Sequence, residues 1–290
     1  LWAASTVSIR KIDKTTNLVL TEYTYGENSL ANGNYFSFFD LFYSNGYLWG
    51  FATHQADDLS GSRRLSKIDP ATGVVLASAL MQLGGFTYPN ILFDTTHVYV
   101  VGVSGGSSTF VVKKFDVATL TFQANALIGR PGESNNHSQS ILKNVILYVG
   151  CDQGQTHAGN GLYAITTSTM TIQRTQTTIG IRSVIHDGEF IWVAGTVYPA
   201  IVSDYYSNVF KLDKDNHSIL AAVHLDAPPG FFDYIDASNI CDAGDTLWLT
   251  SFNVPYMFVV SKSNLSYRTV GTGKNYFYTP YATLSIDRKT

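Results

Sequence analysis

Leu1-Trp2, Leu48-Trp49, Val98-Tyr99, Leu147-Tyr148, Ile191-Trp192 and Leu247-Trp248 are copies of one hydrophobic–aromatic pair. All 4 tryptophans of the chain stand at this position, and tyrosine fills the remaining copies. Successive aromatics are 47, 50, 49, 44 and 56 residues apart, and the path from Trp248 through the C-terminus to Trp2 takes another 44. A period of this length belongs to repeats of four short strands rather than to helical repeats. The closing interval matches the others, so the repeat reads as cyclic.

The second copy shows the internal grammar most clearly. Ser37-Phe38-Phe39-Asp40-Leu41-Phe42-Tyr43 reads as a first strand, and Ser44-Asn45-Gly46 as a tight hairpin turn. Tyr47 to Ala52 is the second strand, Arg64 to Asp69 the third and Val74 to Ser78 the fourth. The turn between third and fourth strands recurs as Ile12-Asp13-Lys14-Thr15-Thr16, Ile68-Asp69-Pro70-Ala71-Thr72, Phe115-Asp116-Val117-Ala118-Thr119 and Leu212-Asp213-Lys214-Asp215-Asn216. Thr166 and Ser261 take the Asp position in the other copies. An Asp, Ser or Thr opening a turn can accept a bond from the backbone N–H two residues on, so these residues are expected to be structural.

The expected fold is all-β: a six-bladed β-propeller of four-stranded antiparallel blades, one domain over residues 1–290. Residues 1–25 supply second, third and fourth strands without a first. Tyr281-Ala282-Thr283-Leu284-Ser285-Ile286-Asp287 carries a first-strand pattern with no second strand after it. The first blade is therefore expected to be shared between residues 1–25 and 279–290, and pairing of these N- and C-terminal strands closes the ring and removes an open sheet edge. The pattern resembles the YVTN and quinoprotein-like propellers, whose blades carry an Ile-Asp-x-x-Thr-Gly-like turn. Ile68-Asp69-Pro70-Ala71-Thr72-Gly73 is the best match, and Ile12-Asp13-Lys14-Thr15-Thr16-Asn17 is close. The resemblance implies the fold and no particular activity, because such propellers include enzymes and binding proteins. Quinone-dependent members follow the turn with a docking Trp, where this chain has Val74 to Ser78, so no cofactor is expected.

Charged residues make up only 14% of the chain and the net charge is −3, which gives no electrostatic footprint for nucleic acid. No apolar run reaches the length of a transmembrane helix, so membrane insertion is not expected. The chain starts at Leu1 inside a strand and reads as a processed product or a domain cut from something longer. Cys151 and Cys241 fall in different repeats at non-equivalent positions, which predicts two free thiols. Sequons at Asn136, Asn216 and Asn264 are no more frequent than chance provides.

First-to-second and third-to-fourth connections are minimal, including Asn45-Gly46, Asp187-Gly188 and Ala243-Gly244. Second-to-third and fourth-to-first connections are long, and in a propeller they emerge on one face, where function concentrates. Binding residues expected there are Tyr35, His54, Tyr88, His157, Tyr198, Tyr205, Tyr206, Tyr234, Tyr276 and Tyr278, because exposed aromatics stack on sugars or fill pockets of a protein partner. Aligned first strands place Asp40, Asn90, Gln139, Arg182, Ser238 and Thr283 at one level, and Phe38, Tyr88, His137, Asp236 and Tyr281 at another. His137, Arg182 and Asp236 form the one cluster suited to acid–base catalysis. No metal-ligand spacing, calcium loop, sialidase box or nucleophile elbow is present in the sequence. The expected function is a non-catalytic recognition or assembly domain on an extracellular or virion (phage-like) surface, with a glycan or protein partner and a place in a larger assembly. The alternative is a lyase or hydrolase with its site at the channel mouth.

Overall fold

The computed structural model describes residues 1–4, 8–25, 36–54, 63–81, 87–104, 109–128, 140–152, 160–176, 179–197, 206–226, 237–251 and 256–271. The chain divides into two compact units, Leu1–Leu127 and Ile128–Thr290. In the first unit, β1 (Trp2–Ala4), β2 (Ser8–Ile12) and β3 (Val19–Thr24) form a three-stranded sheet. The next sheet comprises β4 (Phe36–Ser44), β5 (Tyr47–His54), β6 (Arg63–Ile68) and β7 (Val75–Leu80). The third comprises β8 (Thr87–Phe93), β9 (His97–Ser104), β10 (Thr109–Asp116) and β11 (Phe122–Ile128).

The second unit repeats this order three times. Its sheets are β12 (Ser140–Lys143), β13 (Ile146–Cys151), β14 (Gly161–Thr166) and β15 (Thr171–Gln176); β16 (Ile179–His186), β17 (Phe190–Val197), β18 (Tyr206–Asp213) and β19 (Ile219–His224); and β20 (Ala237–Asp242), β21 (Thr246–Ser251), β22 (Tyr256–Ser261) and β23 (Tyr267–Gly271). Every described pairing is antiparallel and joins strands consecutive in sequence. The expected partner for β1 falls within residues 281–287, outside the described residues. The six recurrent aromatics lie on β1, β5, β9, β13, β17 and β21, as the repeat predicts.

Burial runs in one direction across each sheet. The second and third strands β13 and β14 are almost wholly buried, whereas the fourth strands β3 and β19 are largely exposed. First strands of neighbouring sheets converge: β16 touches β12 on one side and β20 on the other. Apolar clusters then fill the space between consecutive sheets, one around Trp49 and another around Trp192.

The third-to-fourth turn has one geometry in all copies. The fifth residue's N–H donates to the first residue's carbonyl, as Asn17 to Asp13, Gly73 to Asp69, Leu120 to Asp116, Met170 to Thr166, His217 to Asp213 and Leu265 to Ser261. That fifth residue is left-handed every time, with φ between 56° and 74°. A left-handed Leu, Met or His is uncommon because its Cβ crowds the backbone. The side chains offset this by packing on the preceding sheet. Leu120 joins the Trp49 cluster, Leu265 packs against the Trp192 cluster, and His217 meets the Tyr148 ring edge-on at 5.8 Å. The copy with Gly73 inverts the arrangement, since Tyr23 of the preceding sheet occupies the space its missing side chain leaves.

Where the turn opens with Asp, the carboxylate accepts local N–H bonds. Asp13 Oδ1 accepts from Thr15 N at 2.7 Å and Thr16 N at 2.9 Å, and Asp213 Oδ1 from Asp215 N and Asn216 N at 2.9 Å each. Backbone N–H bonds hold both carboxyls below their ordinary range. The structural reading of these residues holds. Both cysteines are free, Cys151 buried and Cys241 half-buried.

Candidate functional site

In three copies of the recurrent aromatic the polar atom that Phe would lack is tied to the hairpin before it. Trp192 Nε1 donates to Asp187 Oδ2 at 2.7 Å, Tyr99 Oη to Asp94 Oδ2 at 2.8 Å, and Trp49 Nε1 to the Ser44 carbonyl at 3.0 Å. Buried indoles and phenols need such a partner. Desolvation alone raises the carboxyl pKa, but N–H bonds from Thr96 and His97 and the Tyr99 hydroxyl outweigh it and hold Asp94 at about 2. Asp187 is held at about 2 in the same way, where bonds from Phe190 N, Trp192 Nε1, Glu189 N and Lys262 overcome its desolvation. Lys262 of the next sheet bridges Asp187 Oδ2 at 3.1 Å and Asp242 Oδ1 at 2.8 Å. Through Lys262 the Asp187 carboxylate therefore fastens its sheet to the next at the tight-turn end, whereas the Asp94 carboxylate binds within its own sheet.

A second companion of the aromatic is a lysine directly across the sheet. Trp2 lies opposite Lys11, Trp49 opposite Lys67, Tyr99 opposite Lys114 and Trp192 opposite Lys211. Lys67 Nζ sits 4.0 Å from the Tyr47 ring centroid, and Lys211 Nζ 3.5 Å from that of Phe190. Lys67 also donates to the Val117 carbonyl of the next sheet at 3.1 Å. Its signature is the Lys that precedes an apolar residue and Asp, as in Lys67-Ile68-Asp69. The Thr166 and Ser261 copies lack both, having Ala164 and Val259 opposite Tyr148 and Trp248.

The long connections do gather at one end of each sheet, because antiparallel pairing alternates the ends. β5 to β6, β13 to β14 and β17 to β18 leave from the end at which β4, β12, β16 and β20 begin. The links from β1 to β2, β9 to β10, β15 to β16 and β21 to β22 are exceptions, with 3, 4, 2 and 4 residues between the strands. At this end the second unit holds an ion pair between Arg182 Nε and Asp152 Oδ2 at 2.6 Å, in which the Asp152 side chain is 0% exposed and that of Arg182 22%. Asp152 immediately follows β13, and Arg182 is the bulged residue of β16.

That bulge corrects the alignment of first strands. Irregularities fall between Phe38 and Asp40, Thr87 and Asn90, Ile181 and Ser183, and Ala237 and Asn239. Each adds residues to the first strand that its partner does not match, so the residues level with Asp40 and Asn90 are Ser183 and Asn239, not Arg182 and Ser238. The Ser183 hydroxyl accepts the Ile240 N–H of the adjacent first strand at 3.0 Å, so part of this polar level joins sheets.

Of the expected catalytic cluster, Arg182 alone is described, and its guanidinium is paired with Asp152; His137 and Asp236 lie outside the described residues. Among the expected binding residues, Tyr35, His157, Tyr198, Tyr205, Tyr234, Tyr276 and Tyr278 also lie outside them. His54 ends β5, Tyr88 lies in β8 and Tyr206 starts β18, with only their backbone positions described. Among the described residues no group of His, Cys, Asp and Glu is placed to hold a metal ion, and no helix is long and apolar enough to cross a membrane.

No protein-family model matches the chain, and no curated protein matches it. Solved structures with similar folds include Kuenenia stuttgartiensis hydrazine synthase, 14% identical with a TM-score of 0.61 over 88% of this chain and 70% of that one. The Pseudomonas putida quinohemoprotein alcohol dehydrogenase ADHIIG is 8% identical with a TM-score of 0.57, over 88% and 54%. The β-propeller domain of Myceliophteria thermophila Cps50 (Swd1) is 11% identical with a TM-score of 0.56, over 92% and 81%. Such identities speak for the fold alone. With sheets of four antiparallel strands repeated along the chain, this protein has the β-propeller fold that its Ile-Asp-x-x-Thr-Gly turns resemble.

Proposed function

We propose that this chain is a non-catalytic recognition or assembly domain, closed into a six-bladed ring by pairing of residues 1–5 with residues 281–287. It binds a glycan or protein partner through the face that carries the long connections, on an extracellular or virion surface. The observation that carries this reading is the division of connections: tight turns at one end of each sheet, long segments bearing Tyr and Asn at the other. Ordering long loops costs conformational entropy, so stability alone does not account for them. Two ionisable pairs near the sheet ends, Arg182 with Asp152 and Lys262 with Asp187, are engaged in structural bonds.

The test is binding of purified protein to a glycan array and to an extracellular-domain display library. Tyr205→Ala with Tyr206→Ala, and separately Tyr276→Ala with Tyr278→Ala, should weaken wild-type binding by about 1–3 kcal/mol per stacked ring, with melting temperature nearly unchanged. Double mutants that bind normally but unfold early would make these tyrosines plugs of the ring and remove the basis of the proposal.

A further inference from the structure

The fourth strands are the outermost of their sheets, with no described strand on their far side. Most exposed large apolar residues lie on or beside them, including Leu18, Leu20, Leu76, Leu80, Phe122, Leu127 and Leu220. An open edge is a template for pairing, and proteins ordinarily blunt it with charge, Pro or a bulge. β3 carries Glu22, β15 Arg174 and β23 Arg268, whereas β7 (VLASAL) and β11 (FQANALI) have neither charge nor proline.

β7 is also self-complementary. Leu76-Ala77-Ser78-Ala79-Leu80 reads identically in both directions. Its exposed residues alternate: Leu76, Ser78 and Leu80 face outward, while Ala79 is buried in the Trp49 cluster. A two-fold axis perpendicular to a sheet preserves its faces, so it must pass through a residue paired with its own copy. Centred on Ser78, such an axis puts Leu76 of one chain opposite Leu80 of the other, twice, and Ala77 opposite Ala79. Both apolar faces then meet like with like. Ser78 Oγ already accepts from Arg64 Nη1 at 3.2 Å within its own chain.

We propose that β7 is a self-association edge, on which a second copy of this chain adds its own β7 antiparallel, with Ser78 on the two-fold axis. Two sheets become one continuous sheet, and Leu76 and Leu80 from each copy cover one another. One six-residue strand pair buries less than the roughly 1,200 Å² of a stable complex, so the dimer forms in the micromolar range.

Sedimentation velocity from about 1 to 100 µM should show a reversible monomer–dimer equilibrium. Ser78→Lys, which sets two ammonium groups opposite each other on the axis, should weaken it about tenfold. Leu127→Lys on β11 should leave it unchanged. The register has its own readout. Residues paired across the axis are about 4.5–5.5 Å apart, within disulfide reach. Ser78→Cys should therefore form a covalent dimer on mild oxidation. Leu76→Cys should not link to itself, but should link to Leu80→Cys when the two variants are mixed. A wild type that stays monomeric at the highest concentration, a dimer indifferent to Ser78→Lys, or Leu76→Cys linking to itself would each overturn the proposal.

Discussion

Gly73→Ala should destabilise the protein by about 3 kcal/mol or more, a large fraction of the stability of an ordinary domain. Gly73 has φ 74°, and a left-handed alanine costs about 1 kcal/mol on that ground alone. The larger part is steric. A Cβ at this position would clash with the Tyr23 ring carbon Cγ, 2.5 Å from Cδ1 and 2.9 Å from the Tyr23 Cβ. Tyr23 cannot swing aside freely, because its hydroxyl donates to the Pro70 carbonyl at 3.0 Å and the Ala71 carbonyl at 2.8 Å. Its ring is also stacked on Trp2, with centroids 6.2 Å apart. The neighbouring Tyr25 hydroxyl donates to the Gly73 carbonyl at 2.6 Å, so the turn itself is fixed from two sides. Urea unfolding measures the effect, and a loss under about 1 kcal/mol would show that the interface between the first two sheets adjusts easily. Adding Tyr23→Ala should make the pair strongly non-additive, because the second change removes the obstacle that the first one meets.

Arg182→Ala should be comparably damaging, at about 3–5 kcal/mol, through a different mechanism. Its removal leaves the carboxylate of Asp152, which is 0% exposed, without the guanidinium 2.6 Å away. A buried charge that loses its partner is penalised far more than the pair was worth. Arg182→Met combined with Asp152→Asn should therefore be more stable than Arg182→Ala alone. The comparison also decides what Arg182 does. A residue held for catalysis or ligand binding would lose activity on substitution without lowering the melting temperature, and that outcome would return Arg182 to the functional side.

Elements fixed by local chemistry were the legible ones. The six aromatics are legible because one position of the second strand recurs at the blade period, whatever the loops do. The Asp turns are legible because an Asx bond spans only two residues, as where Ala71 N donates to Asp69 Oδ1 at 2.8 Å. The pairing of Lys67 with Trp49 is not legible in the sequence, because the two are cross-strand neighbours separated by a connection of variable length. The bulges were invisible for another reason. No residue type marks them, since Phe39, Arg182 and Ser238 have nothing in common, and each unmatched residue shifts the level assigned to what precedes it. The candidate site was legible only as an address. Connection lengths identify the end of the sheets at which Tyr205 or Tyr276 belongs, but what a loop side chain meets is decided by tertiary placement.

That address depends on ring closure, since the long connections serve one surface only if the blades form a single circle. The register of the other blades sets the test. Asp40 pairs with Phe51 and Asn90 with Val101, two residues beyond Trp49 and Tyr99. The proposed closure requires Thr283 to pair with Ala4, two residues beyond Trp2. A double variant, Ala4→Cys with Thr283→Cys, should form an intramolecular disulfide under mild oxidation, identified by peptide mass mapping, and raise the free energy of unfolding by about 2–4 kcal/mol. Thiols that remain reduced, or that link only between molecules, would contradict closure and with it the single recognition face.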